Sequence, residues 1–226
     1  MESTVIKIIE EYLEVENVKQ QRGYSDDLRL EYDNDARYYL DKGYSKEEAL
    51  HADTIISFWT IYKTLLEKQT GWKTYKTTKS LESLLKQIHS KQKNDYTAKI
   101  VQLNEKIEDF AKVIYNKGNY MLLPKRIINS VRFQKFEDRV DLTLYHSFSG
   151  GELSSYFETD EHLKEWIRRE KLHILFIDGD IEKNKLLWLV DNKKKITDMT
   201  VEEIYTYIDS SKSFIEKRSE YIRNNL

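Results

Sequence analysis

The sequence predicts a mainly α-helical single domain with a small β hairpin or sheet element, and three observations carry that expectation. One proline and seven glycines in 226 residues leave few backbone breaks. Apolar side chains recur at three- and four-residue intervals through most of the chain. Two sequences, Ser45 to Glu48 and Thr200 to Glu203, read as capping boxes, in which the hydroxyl and the glutamate reciprocally satisfy free amides at a helix head. A folded chain of this length hides about 70–75% of its unfolded surface, and sixteen Tyr with four Trp are too many for a disordered one. Residues 1–226 are therefore read as one domain, with 1–45 as a loosely attached acidic segment.

In chain order, Val5, Ile8, Ile9, Tyr12 and Leu13 mark an amphipathic opening helix. A charged, Tyr-rich stretch follows to about Gly43. The box at Ser45 opens a helix expected to reach Glu67, with Ala52, Ile55, Ile56, Trp59, Tyr62, Leu65 and Leu66 turned inward. Gly71 stops it, and Leu81, Leu84, Leu85 and Ile88 mark another. Ile100, Leu103, Ile107, Phe110 and Ile114 have the 3-4 spacing of packed helices. That helix is expected to end at Gly118 in a left-handed cap, and Tyr120 to Leu123 reads as extended. Val140 to Leu144 fits a strand or a helix equally. Ser149-Gly150-Gly151 is a turn, and Thr159 begins a helix carrying Leu163, Trp166 and Ile167. Leu172 to Ile177 and Leu186 to Val190 are expected to pair as a hairpin. The box at Thr200 opens a last helix with Ile204, Ile208, Ser211, Ile215, Arg218 and Ile222 on one face.

Several classes of function are excluded early. Without cysteine there is no disulfide framework, thiolate zinc site or cysteine nucleophile. The opening Met-Glu-Ser-Thr-Val is not a cationic signal, and no apolar run approaches the roughly 18 residues of a membrane span. A soluble cytoplasmic protein with no membrane contact is expected. Net charge is −2, but residues 1–53 hold seven basic against fourteen acidic side chains, and 63–93 hold eight lysines against Glu67 and Glu82. The lysines either attract phosphate or merely solvate helix surfaces opposite the acidic segment; an exposed Trp72 among them would stack on a base.

Chemical content concentrates at Lys117 to Arg139, where six basic and two acidic residues surround an apolar centre. Its structural reading is a buried strand, a structural asparagine bonding turn amides and arginines paired with Glu137, Asp138 or Asp141. Elsewhere the patterns fail. Asp178-Gly-Asp180-Ile-Glu182 begins like a calcium loop, but Lys183 replaces its glycine and Leu189 its final glutamate. No glutamate has a lysine two residues on. There is no nucleophile elbow, phosphate-cradling glycine loop or His-Glu-x-x-His, and His146, His162 and His173 are scattered.

Ala52 to Trp59, Gly118-Asn-Tyr-Met-Leu-Leu-Pro124, Asp138-Arg-Val-Asp-Leu-Thr-Leu144 and Ser213 to Arg218 together resemble a bacterial family described only as a domain of unknown function, which implies no activity. Gly118-Asn119, Leu122-Leu123-Pro124, Asn129 and Phe136-Glu137-Asp138-Arg139 are also similar to the trailing half of HNH-type nuclease domains in restriction enzymes. That second resemblance implies a strand, an asparagine and then a Phe-Glu-x-Lys helix, working with one divalent metal ion. The leading His-Ile-x-Pro half is absent, and half a motif holds neither base nor complete ligand set.

The leading expectation is a bacterial or phage interaction or regulatory module with a protein partner, no catalysis and no cofactor. The alternative is a nucleic-acid-binding protein or degenerate HNH-like nuclease centred on 118–141. As a nuclease it would use a divalent metal, with His89 and Asn129 as candidate catalytic residues. Lys125, Arg126, Arg132, Lys135 and Arg139 are the candidate phosphate contacts, and Asp138 with Asp141 the alternative metal pair.

Overall fold

The structure, a computed structural model, describes residues 3–11, 43–45, 49, 52–70, 83, 86, 104–124 and 126–224, with the backbone alone at 70 and 126–130. Residues 4–11 are helical. Strand β1 (Ala52–Thr54) leads to helix α1 (Phe58–Thr70). After α2 (Glu105–Ala111), a 3₁₀ turn at Lys117–Asn119 delivers strand β2 (Tyr120–Leu122). Helices α3 (Arg126–Phe136), α4 (Val140–Ser147) and α5 (Asp160–Arg169) follow, then a run of 3₁₀ turns, and finally α6 (Val201–Asn224). Among the described residues the architecture is mainly α with one two-stranded antiparallel sheet, the class the sequence predicts.

Helix α6 is the spine. Its buried face is Ile204, Tyr207, Ile208, Ser211, Phe214, Ile215 and Arg218, and it packs on α1, α2 and the 117–119 turn. Its head is the predicted capping box: the Glu203 amide donates to Thr200 Oγ1 at 3.2 Å, and the Thr200 amide donates to the Glu203 carboxylate at 2.8 Å. Val5, Ile8 and Ile9 join the same core. Ser3 Oγ and the Thr4 and Val5 amides donate to the Glu108 carboxylate, so residues 3–11 are tied to α2.

Three local expectations change. Ala52–Thr54, expected inside a helix, is a strand that pairs antiparallel with β2 (Ala52 opposite Leu122, Asp53 opposite Met121, Thr54 opposite Tyr120). Tyr120–Leu122 is buried on every residue and needs a backbone partner, and the helix starts again only at Phe58, where Ser57 Oγ accepts from the Thr60 amide at 3.3 Å. Gly118 does not take the positive φ of a left-handed cap. Its missing side chain is required for another reason: a Cβ there would lie 2.1 Å from the Ile215 carbonyl oxygen and 2.6 Å from Ser219 Oγ, against the backbone of α6. The 172–190 segment is mostly 3₁₀ turns, and its two apolar runs meet through one antiparallel bridge, Phe176 with Leu186.

Val140 to Leu144 resolves as helix α4, because five consecutive residues from Val140 are buried and a half-exposed strand would alternate. The first capping box, the helix around Leu81 to Ile88, the Trp72 lysine stretch and the Ile100-Leu103 half of the seam lie outside the described residues or only touch them.

Candidate functional site

Of the cations of 117–139, Arg132 and Arg139 turn inward, and Lys135 stays on the surface. Three arginines are among the largest fully buried side chains. Arg132, on α3, donates from Nε to Thr143 Oγ1 at 2.9 Å and from its terminal nitrogens to the Asp53 carboxylate, the Thr54 carbonyl and the Ile55 carbonyl. It thereby joins β1, α3 and α4. Arg139 grips Asp141 with both Nε (3.1 Å) and a terminal nitrogen (2.6 Å), and reaches Asn192 and the Lys194 carbonyl. Asp141 also accepts from the Leu142 and Leu189 amides. Arg218, on α6, donates to the carbonyls of Glu170, Gly118 and Tyr120 at 2.5–2.8 Å. A buried guanidinium is tolerated because its five donors find carbonyl and carboxylate partners in a fixed fork.

Asp138 is less satisfied. Glu137 and Asp138 both take positive φ (51° and 58°), breaking the chain between α3 and α4 where the nuclease likeness implies a continuing helix. The Asp138 carboxyl is buried, its Oδ1 accepts no hydrogen bond among the described residues, and Arg132 is 3.8 Å away. Burial pushes its pKa up, Arg132 opposes that, and Glu137 adds to it. Asn119 is a turn-bonding amide: its side chain accepts from the Ile56 amide at 3.0 Å and donates to the Ile114 and Ile56 carbonyls.

Above this frame, at the ends of α3 and α4, the surface is aromatic. Phe136 stacks on His146 with ring centroids 4.6 Å apart, His146 meets Tyr145 edge-on at 5.0 Å, and Tyr145 tilts against Trp188 at 5.5 Å. Lys193 Nζ stands 3.8 Å over the Tyr145 ring and 5.6 Å from that of Trp188. Tyr145 is 42% exposed, the neighbouring Leu187 46%, and Phe133, one turn before Phe136, 56%. Desolvation holds the half-buried His146 below the ordinary imidazole pKa, and the Lys193 and Lys135 ammoniums depress it further. At neutral pH it is an uncharged ring.

Two clefts lie elsewhere. One, of about 420 Å³, is bordered by Arg168, Lys171, His173, Asp180, Glu182 and Tyr221; the other, of about 370 Å³, by Tyr156, Phe157, Trp166, Glu158, Glu165 and Arg169. At their borders Arg168 pairs with Glu161 and Glu182, and Arg169 with Glu170. In the first, His173 meets Tyr221 edge-on with ring centroids 5.0 Å apart; in the second, His162 Nδ1 lies 3.6 Å from the Glu158 carboxylate. Among the described residues no group of three or more His, Asp or Glu side chains is placed to share a metal ion, and no helix is long and apolar enough to cross a membrane.

A scan against protein-family models finds no match, and searches of curated proteins and of solved structures return nothing similar.

The expected site residues therefore separate. His89 and Lys125 lie outside the described residues; Arg126 and Asn129 are on α3, with only their backbones described. Arg132 and Arg139 are fully buried, so neither guanidinium faces solvent as a phosphate contact requires. Lys135 remains on the surface, paired with Glu152. Asp138 and Asp141 belong to different arginine pairs, Asp138 to Arg132 and Asp141 to Arg139. Sequence reading missed Asp53, Glu170 and the Tyr145-Trp188-Lys193 cluster. Tyr145-His146 adjacent in sequence is visible, but its meeting with Trp188 depends on the irregular 172–198 segment.

Proposed function

We propose that this chain is a non-catalytic interaction module that docks a partner on the aromatic face formed by Tyr145, Leu187 and Trp188 with Lys193. The observation that carries the reading is the division of labour between buried and exposed groups. Arg132 and Arg139 of the motif-like segment, with Arg218 of α6, are consumed in holding β1, α3, α4 and α6 to their neighbours. Exposed Tyr145 meets half-buried Trp188, which packs on Phe136, Leu142 and Leu153 from its other side, Lys193 lies over both rings, and Leu187, next to Trp188 in sequence, is exposed. Tyr and Trp are the residues that most often dominate binding energy at partner sites.

Two measurements test it. Tyr145→Ser and Leu187→Ser variants should each lose less than about 1 kcal/mol of stability, as surface positions do; a loss of several kcal/mol would make the face part of the core. Incubation with duplex and single-stranded DNA and RNA in Mg²⁺ or Mn²⁺ should leave the substrates intact, and reproducible cleavage would refute the non-catalytic reading.

A further inference from the structure

We infer that the occupant of the aromatic face is a single-stranded nucleic acid, whose bases stack on Tyr145 and Trp188 while Lys193 meets the phosphate backbone. The inference rests on the docking reading above and names its partner. The rings are not a plain apolar patch. Phe136, His146, Tyr145 and Trp188 form a continuous array with neighbouring centroids 4.6–5.5 Å apart, and the array is flanked by ammonium groups. Flat rings with sequence-tolerant π faces beside cations are the chemistry that holds unpaired bases and their phosphates.

The charge balance around the array favours an anion. In the run Lys193-Lys194-Lys195, Lys194 is spent on Glu203 and Lys195 on the Gln134 carbonyl. Lys193 has no carboxylate partner among the described residues and rests instead on the two ring faces. A lysine on a flexible four-carbon stem can leave a ring for a phosphate at small cost, which uncovers Tyr145 for a base at the moment the charge is needed. Lys135 lies close enough to lower the His146 pKa and is held by Glu152, which a second phosphate would displace. Exposed Phe133, on the same helix as Phe136, extends the apolar border. An unpaired strand suits this surface better than a duplex, because a duplex presents phosphates but keeps its base faces stacked inside.

The test is fluorescence anisotropy of a labelled twelve-nucleotide oligo-dT and oligo-rU titrated with the full chain at several salt concentrations. Saturable binding is expected to weaken roughly tenfold in Tyr145→Ser, from stacking worth about 1–3 kcal/mol per base. The slope of log K against log salt is expected to flatten by about 0.7 in Lys193→Gln, one phosphate contact on a single strand. A hexaglutamate peptide should not compete. Absence of saturable binding at low salt, binding unchanged in both variants, or equal competition by hexaglutamate would overturn the nucleic-acid partner while leaving the docking face standing. Cleavage of the oligonucleotide, or loss of the fold in Tyr145→Ser, would instead overturn the docking reading itself. Trp188→Phe, which keeps a stacking ring, should retain most of the affinity; loss of binding there with the fold intact would also count against stacking.

Discussion

Replacing Arg132 by methionine distinguishes a scaffold arginine from a surface one. The side chain is fully buried, and its removal would take the guanidinium partner from the buried Asp53 carboxylate, worsen the poorly satisfied Asp138 and withdraw a donor from the Thr54 and Ile55 carbonyls. Breaking a buried ion pair by deleting one partner costs about 3–5 kcal/mol, because the remaining charge stays buried without compensation. For a chain of this size that is a fall in Tm of about 6–20 °C, whereas a solvent-facing cation changes stability by about 0.5 kcal/mol or less. Thermal and urea unfolding followed by circular dichroism measure it directly. The double variant Asp53→Asn with Arg132→Met should recover at least about 1 kcal/mol of the loss, the coupling expected of a contacting pair. An Arg132→Met chain as stable as the parent would refute the assignment and return this arginine to the surface.

Two further outcomes follow from the same geometry. Gly118→Ala places a methyl 2.1 Å from the Ile215 carbonyl oxygen, so α6 must shift; a net loss of about 1–3 kcal/mol is expected in urea unfolding, and a neutral variant would mean that the close approach is not there. Asp138→Asn removes a buried carboxyl whose pKa burial has raised. With the folded pKa above the unfolded one, the folded state holds its proton more tightly, so the wild type loses stability as pH rises from the ordinary aspartate value through the raised one. The variant does not titrate, and asparagine tolerates the positive φ. Its stability relative to wild type should therefore climb as pH rises above the ordinary aspartate value of about 4, whereas a gap independent of pH would contradict the shift.

The helical part of the fold was legible where periodicity and caps agreed. The Thr200-Glu203 box and the face from Ile204 to Arg218 appear as read, as does the Thr159-capped helix with Leu163, Trp166 and Ile167 buried. Ala52–Thr54 was misread because Ala52, Ile55, Ile56 and Trp59 satisfy helical spacing, and nothing local announces a strand whose partner lies more than sixty residues away. Gly118 was correctly singled out but for the wrong cause, since a close approach by a distant helix leaves no mark on the neighbouring sequence. The same limit applies to the arginines. Their pairing with nearby aspartates was one of the alternatives read from the sequence, but the Arg132 contact with Asp53 and the Arg218 contacts with the 117–120 carbonyls are tertiary. The aromatic array was hidden because its members come from α3, α4 and an irregular loop with no period to read.

Hydroxyl-radical footprinting, read residue by residue by mass spectrometry, tests most directly whether the aromatic face is open while the motif-like segment is internal. Phe133, Tyr145 and Leu187 should be oxidised rapidly in the free chain, and Met121, Tyr62 and Tyr207 slowly, with partner protection confined to the first group and Trp188. A protected Tyr145 in the free chain, or partner protection centred on residues 117–123, would contradict the account.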